Sequence, residues 1–357
     1  MADRRPDIQV IAEPLGGSPL SQLVQANHDA PWIVRRPATP DEWRAWVESV
    51  RQTAPSWREE LGPAFDASGA ARDRLDRVAA AQGVVVTTGQ QPGLFGGALY
   101  TWNKALSALE LADAIERTTG VPAAPVFWAA TDDADFAEAT VTWLRTADGA
   151  RRVAHQQVPS DGEPLTEVPL EGIEDALLAL REAVGSAADL EPVQAVQDTY
   201  VRGATIGSAY LALMRRLLEP LGIAVIDASH PALLEAERPL MVRALERAPA
   251  VFAVLEEREK VLVAAGYRPQ VSQVADLSLV FTRAVRKKTR VPLAKAKDVA
   301  ARAARDALSP NVLLRPVVER ALLPSVAYVA GPGELAYFAQ AASVAEALDL
   351  AAPLGVP

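Results

Sequence analysis

The segment from Thr88 to Gly97 combines residue types that can bind an anion. It contains four glycines, Gly89, Gly93, Gly96 and Gly97, and lies between an apolar run and a helical pattern. Glycine lets backbone N–H groups approach an anion closely, and the N-terminus of a following helix adds a favourable dipole. The spacing matches neither a Walker loop nor a dinucleotide fingerprint. A tight strand-to-helix turn that binds no ligand is an equally good interpretation.

Asp132, Asp133 and Asp135 follow a second apolar run. Paired carboxylates at a strand end can hold Mg²⁺ near a nucleotide, receive a substrate amine or act as a general base. Aspartate is also well suited to cap the N-terminus of a helix. Capping is the favoured interpretation for Asp135, whereas the two interpretations carry equal weight for Asp132 and Asp133.

A third polar turn, Gly331-Pro332-Gly333-Glu334, begins another helical pattern. Its backbone N–H groups could form an anion-binding nest, with the acid placed to bind a ribose hydroxyl or an amine. Simple helix initiation is the open alternative. The histidines, His28, His155 and His230, are too scattered for a metal site, and His230 is better explained as a turn residue.

A basic stretch runs from Arg283 to Lys297 and contains no acidic residue. Its cations are Arg283, Arg286, Lys287, Lys288, Arg290, Lys295 and Lys297. In an acidic protein such a stretch could face an anion. A solvated hairpin or loop is the favoured interpretation.

Four short apolar runs predict the strands that carry these loops. The runs are Val84–Thr88, Val126–Ala130, Ile223–Ile226 and Val326–Ala330. Their uniform apolar character and β-branched content favour strands buried on both faces, as in a parallel sheet.

Helical patterns follow the first and last of these runs. Leu99, Trp102, Leu106 and Leu109 recur at spacings of three and four and predict the apolar face of the first helix, which Gly120 ends. The alternation predicts an α/β fold with a Rossmann-like, doubly wound, mostly parallel sheet and helical insertions. The polar loops should then meet at the rim formed by the carboxyl ends of the strands.

The order of these patterns also predicts how the chain is divided. The expected segments are 1–142 (first half of the core with N-terminal helices), 143–200 (an inserted connective segment), 201–230 (a core strand and its flanking helix), 231–320 (a second insertion) and 321–357 (the last core strand and helix).

Composition excludes several classes of function. A net charge of -9 argues against non-specific binding to nucleic acid, which requires a basic surface. The absence of cysteine excludes disulfides, Cys-ligated metals and a thiol nucleophile within the chain. Residues 1–7 are charged and unlike a signal peptide, and no apolar run reaches about 18 residues. A cytoplasmic setting without membrane contact is therefore expected.

Several segments, all in the same order, resemble the signatures of the bacillithiol cysteine ligase family, BshC. They are Thr88–Phe95, Gly97–Thr101 with Lys104, Pro125–Trp128 with Asp133, Asp135 and Phe136, Asp227–Pro231, Ser309–Pro316 and Ala327–Tyr337.

This resemblance implies a Rossmann-like ligase that uses ATP to join cysteine to the amino group of glucosaminyl-malate. Those two small molecules are the implied partners, ATP (or the ADP product) is the implied nucleotide, and Mg²⁺ is a candidate companion ion. The implied catalytic residues are Asp132, Asp133 and Lys104. The implied nucleotide- or substrate-binding residues are Thr88, Gly89, Gln90, Gln91, Gly93, Tyr100, Asn103, Gly331, Gly333, Glu334 and Tyr337.

The chain departs from the family pattern in three respects. Many members have histidine where Asn103 stands and Glu-Asp-His-Asp where this chain has Asp132-Asp133-Ala134-Asp135. Family chains also continue into a coiled coil, whereas this one stops at Leu354–Pro357, within the next strand of the family. The coiled-coil dimer contact is therefore expected to be absent. A non-catalytic, nucleotide- or metabolite-binding relative is therefore the alternative to an active ligase.

Overall fold

The computed structural model describes residues 15–51, 53–146, 148–155, 162–284 and 287–357. Residues 1–7 and Arg286, which entered the sequence interpretation, lie outside these ranges. The strands of the described residues are β1 (Val84–Gln90), β2 (Ala123–Ala129), β3 (Val141–Thr146), β4 (Gly149–Ala154), β5 (Ala224–Asp227), β6 (Leu277–Ala284), β7 (Lys287–Pro292), β8 (Ala307–Pro310), β9 (Ser325–Val329) and β10 (Gly355–Val356).

Helices surround these strands. They are α1 (Pro19–Gln25), α2 (Pro40–Val50), α3 (Trp57–Glu60), α4 (Gly62–Phe65), α5 (Gly69–Ala80), α6 (Leu99–Thr119), α7 (Phe136–Ala139), α8 (Glu174–Val184), α9 (Glu191–Thr199), α10 (Ile206–Leu218), α11 (Pro231–Glu246), α12 (Ala248–Ala264), α13 (Ala296–Ala301), α14 (Arg315–Leu322) and α15 (Pro332–Ala347). Within the described residues, no helix is both long enough and apolar enough to cross a membrane.

The central sheet is parallel, with strand order β10-β9-β1-β2-β5. Each of the four apolar runs forms one of its strands, as predicted. Val84 and Val86 pack against α2 and α6 on one face, while Val85 packs against the α3–α5 region on the other. Successive strand residues point to opposite faces, so an apolar side chain at every position fits a sheet covered on both sides. The predicted α/β fold is confirmed.

The topology places a crevice beside β1. From β1 the chain builds outward through β2 to β5, then returns to the other side of β1 with β9 and β10. In open α/β sheets ligands bind where the strand order reverses, at the carboxyl ends of the strands. The crevice between the ends of β1 and β9 is such a point. The last residues of the chain do form a strand, since β10 pairs in parallel with β9.

The predicted apolar face of the first helix is only partly right, because Trp102 and Leu109 pack against the core but Leu99 and Leu106 do not. Leu99 and Leu106 are exposed at 73% and 47%, whereas the sheet-facing side of α6 carries Ala105, Ala108 and Ile115. Small alanine side chains let the helix axis lie close to the sheet, and the larger leucines at other positions then point outward. The helical periodicity predicted the helix, but the buried face of α6 is rotated relative to the predicted one.

The inserted segments add two smaller antiparallel sheets. β3 and β4 form a hairpin within residues 141–154, and β7-β6-β8 form a three-stranded sheet. The segment 231–320 begins with two long helices, α11 and α12. The division into five segments stays a prediction.

Candidate active site

A cavity of about 890 Å³ opens at the carboxyl ends of β1, β2 and β9. The three polar loops singled out in the sequence converge on it. The predicted residues that line the cavity are Gly89, Gln90, Gln91, Tyr100, Asn103, Lys104, Asp132, Asp133, Gly331, Gly333, Glu334 and Tyr337. Their individual roles stay predictions.

Thr88 and Gly93 do not line this cavity. Thr88 is fully buried, and its hydroxyl donates to the Val329 carbonyl at 2.8 Å. Gly93 packs against Gly97, and its carbonyl accepts a hydrogen bond from the Tyr200 hydroxyl at 3.2 Å. Both residues shape the strand and the turn behind the cavity wall.

Gly89 is a glycine because β2 lies against it. An added Cβ would come within 2.7 Å of the Trp128 carbonyl oxygen. The Gly89 carbonyl in turn accepts a hydrogen bond from the Lys104 ammonium group at 2.7 Å. Packing thus requires this glycine whether or not an anion binds beside it, and the tight-turn interpretation accounts for the loop without a ligand.

Lys104 and Glu334 form a buried ion pair between α6 and α15. The Lys104 Nζ atom lies 2.5 Å from Glu334 Oε2, and the lysine side chain is only 7% exposed. Glu334 also accepts from the Tyr328 hydroxyl at 2.7 Å and from the Gly331 N–H at 2.8 Å. Burial alone would raise the pKa of Glu334, but Lys104 and Arg315 outweigh it and hold that pKa below its usual value.

These contacts engage Glu334 within the protein, and its predicted ligand-binding role stays a prediction. The carboxylate caps the first turn of α15 through the Gly331 N–H and neutralises Lys104, so its oxygens are already used within the protein. Helix initiation, the alternative interpretation, therefore describes the Gly331–Glu334 turn. Lys104 is likewise engaged, and Gly331 and Gly333 still expose backbone to the cavity.

Arg315 lines the same part of the cavity and was not among the predicted site residues. Its guanidinium pairs with Glu319 and donates to the hydroxyls of Tyr328 at 3.1 Å and Tyr337 at 3.4 Å. Burial raises the pKa of Glu319 to about 7, against the opposing effect of Arg315. Arg315 stands within the Ser309–Pro316 segment, which was the only sequence signal for it.

The acidic loop after β2 places its three aspartates in different environments. Asp132 pairs with Lys288, whose Nζ atom lies 2.8 Å from Oδ2. Asp133 accepts from the backbone N–H groups of Ala134 at 2.6 Å and Asp135 at 3.2 Å. Burial and Asp132 raise the pKa of Asp133. Asp135 accepts from the N–H of residue 138 and caps α7, as predicted.

The basic stretch is a hairpin, but two of its cations face the cavity. Lys287 and Thr289 are exposed, whereas Lys288 and Arg290 alternate with them and line the cavity wall. Arg290 donates from both Nε and Nη2 to the Ser278 carbonyl, at 2.9 and 2.6 Å. The solvated-hairpin interpretation is therefore wrong for these two side chains, because strand alternation turns them inward.

Glu237 is a further cavity residue that the sequence interpretation missed. It lies on α11, is only 2% exposed and lines the cavity. The available signal was its spacing: Leu233, Glu237, Met241 and Leu245 recur every four residues and are all buried. A carboxyl group within an apolar helical stripe indicates a special environment.

His230 and the remaining histidines lie apart from this chemistry. His230 caps α11, with its Nδ1 accepting from the Ala232 N–H at 3.1 Å, in agreement with a turn residue. Among the described residues, no group of three or more His, Cys, Asp or Glu side chains is placed to hold a metal ion.

Comparisons with known proteins agree with this architecture. The model of the family described as bacillithiol biosynthesis BshC, N-terminal Rossmann-like domain, matches residues 58–357. Proteins named "Putative cysteine ligase BshC" from Solibacter usitatus, Koribacter versatilis and Heliobacterium modesticaldum are 35%, 34% and 28% identical over 298, 280 and 345 residues. These alignments cover 79%, 74% and 90% of this chain but 55%, 52% and 63% of the relatives.

Proposed function

Because the chain belongs to the bacillithiol biosynthesis BshC family, we propose that it contributes the ligand-binding site of an ATP-dependent ligase that adds cysteine to glucosaminyl-malate. The relatives carry the ligase name, and the chain spans between 52% and 63% of the length of the three compared above. The observation that carries the proposal is the cavity at the switch point of the sheet, where the three polar loops meet.

The cavity has the size and the chemistry for a nucleotide and a small amino acid. Its volume of about 890 Å³ falls within the range of ligand pockets, roughly 300–1,000 Å³. Its wall beside α15 combines the backbone of Gly333 with Arg315, which suits phosphate or carboxylate oxygens.

A second part of the cavity wall, lined by the acidic loop and α11, suits an amine. Asp132, Asp133 and Glu237 bring three carboxyl groups around a single ammonium, that of Lys288. A carboxylate-rich wall attracts a cationic ligand group, so we place the substrate amine here and the activated carboxyl group between the two walls. Mg²⁺ would arrive with the nucleotide phosphates, because this ion is usually held by phosphates and one or two carboxylates rather than by a protein cage.

The test is direct synthesis. The chain is incubated with ATP, cysteine and glucosaminyl-malate, and the amide product is measured by mass spectrometry, while calorimetry measures ATP binding separately. Product that depends on all three reactants supports the proposal. The absence of both amide product and ATP binding would refute it.

Two cavity positions favour a second candidate function, a relative that binds ligands without turnover. Asn103 and Ala134 both line the cavity, and both stand where many family members have histidine, a versatile proton carrier near neutral pH. If the missing imidazoles limit catalysis, the Asn103→His and Ala134→His variants should gain turnover. Ser107→His, on the same helix and cavity wall, is the matched control. Binding without turnover in every variant would favour the second function.

A further inference from the structure

The Glu237 carboxyl group is the feature of the cavity that the contacts within the protein do not explain. It is 2% exposed and lines the cavity, yet it makes no hydrogen bond or ion pair with any residue that the structure describes. A buried carboxyl group without a partner is costly, because burial removes its hydration. Retaining one in a cavity wall indicates that a ligand supplies the partner.

The other carboxyl groups of the cavity are already engaged. Asp132 is held by Lys288, and Asp133 accepts two backbone N–H groups. Glu334 is held by Lys104 and by the turn it caps. These contacts engage Asp132 Oδ2, Asp133 Oδ1 and Glu334 Oε2, whereas neither carboxyl oxygen of Glu237 is engaged by the described residues.

The helix holds Glu237 rigidly in this position. Leu233 and Met241, one turn before and one turn after it, are fully buried, and α11 packs against the β6–β8 sheet and α14. The carboxyl group therefore cannot turn to solvent without unpacking the helix, and its direction toward the cavity is set by the core.

The charges around Glu237 come from the acidic loop, the basic hairpin and α14. Burial raises the pKa of Glu237 well above its usual value; Asp132 and Glu319 act in the same direction, whereas Lys288 and Arg315 oppose them. A carboxyl group in such surroundings holds a proton more readily than an ordinary glutamate, which favours a role in proton transfer.

We propose that Glu237 is the catalytic base that accepts the proton of the attacking amine in the amide-forming step. This rests on the proposed ligase function. The amine nitrogen forms a bond to the carbonyl carbon of a carboxyl group activated as a phosphate anhydride. The C–O bond to the phosphate breaks, and the phosphate leaves with that electron pair. The substrate ammonium group first loses one proton to solvent, which frees the lone pair that attacks. As the bond forms, a second proton moves from the nitrogen to the Glu237 carboxylate.

Turnover and half-reactions test this role with Glu237→Gln, which keeps the size of the side chain. The variant should lose about 10²–10⁴-fold in amide formation while keeping ATP binding and carboxyl activation without the amine. In the wild type kcat/KM should rise with pH as Glu237 ionises, and that limb should vanish in the variant. Glu219→Gln is the matched control, because Glu219 is a buried glutamate that accepts from Ser68 away from the cavity. An unchanged rate or pH limb in Glu237→Gln would overturn the proposal.

A second measurement does not depend on turnover. Binding of the glucosaminyl-malate ammonium should stabilise the Glu237 carboxylate and release its proton, which calorimetry detects in buffers of different ionisation enthalpy. We expect release in the wild type and in Glu219→Gln but not in Glu237→Gln. Equal release in all three, or no amine binding by the wild type, would overturn the role of Glu237. Glu237-dependent release without amide product would instead contradict only the ligase function.

Discussion

The Lys104–Glu334 pair gives the sharpest test of how the site is held together. Replacing Lys104 by Met preserves most of the side-chain volume and removes the ammonium group. Glu334 then loses the contact at 2.5 Å but keeps the Tyr328 hydroxyl, the Gly331 N–H and Arg315 at 3.7 Å. The perturbation therefore leaves a buried carboxylate that is only partly compensated.

The expected cost follows from that remaining compensation. Removing one partner of a buried ion pair costs about 3–5 kcal/mol. Because Glu334 keeps three other contacts, we expect Lys104→Met to lower the free energy of unfolding by about 3 kcal/mol, the lower end of that range. Glu334→Gln removes the charge that Lys104 needs, so the two changes together should cost less than their sum by about 1–3 kcal/mol.

Urea unfolding followed by circular dichroism measures these differences. Lys260→Met is the matched control, since Lys260 is 73% exposed and its pair with Glu257 lies on the surface. This control should change the free energy of unfolding by no more than about 0.5 kcal/mol. Two results would refute the buried-pair interpretation. One is equal stability of Lys104→Met and Lys260→Met. The other is strict additivity of the unfolding free energies when Lys104→Met and Glu334→Gln are combined.

The sign of the pH dependence adds a second check. The folded pKa of Glu334 lies below its usual value of 4.5, so its contribution is present above that value and is lost as pH falls through the folded pKa. The coupling between Lys104 and Glu334 should therefore be full at pH 7 and should fade as pH falls below 4.5 and through the folded pKa. A coupling that grows on acidification would contradict this assignment.

Three further changes test other parts of the structure. Gly89→Ala should destabilise the chain by about 1–3 kcal/mol in thermal unfolding, because the added Cβ overlaps the Trp128 carbonyl. Gly333→Ala is the control, since its Cβ would meet only ordinary contacts. Equal losses of stability in the two variants would argue against this packing. Asp135→Ala should lower the stability of the folded chain by about 1 kcal/mol, because α7 loses its N-terminal cap. Stability equal to that of the wild type in Asp135→Asn, which can also cap a helix, would support this role. Burial raises the folded pKa of Glu319 to about 7, so its favourable contribution is complete below 4.5 and is lost as pH rises to 7. Between pH 4.5 and 8, the free energy of unfolding of the wild type, measured by urea titration, should accordingly fall by up to about 3 kcal/mol relative to that of Glu319→Gln. A difference in unfolding free energy that does not change with pH would exclude the raised pKa of Glu319.

The sequence alone determined the sheet and the rim of the site. Continuous β-branched runs such as Val84–Val86 are buried from both faces, and this property is local enough to read directly. Parallel strands end at a common edge, so Asp132, Gly331 and Gln90 had to come near one another once the strands were identified. The cap at Asp135 followed from residue type and position in the same way.

Only the tertiary structure decided which charged groups face the cavity. Lys104 meets Glu334 across 230 residues, and Lys288 meets Asp132 across 156. Periodicity reports the face of a single element but not which distant element covers that face, so Leu106 was expected in the core and is instead half exposed. Glu237 shows the same limit: its spacing predicted burial, but only the packing of α11 against the cavity gave that burial a chemical meaning.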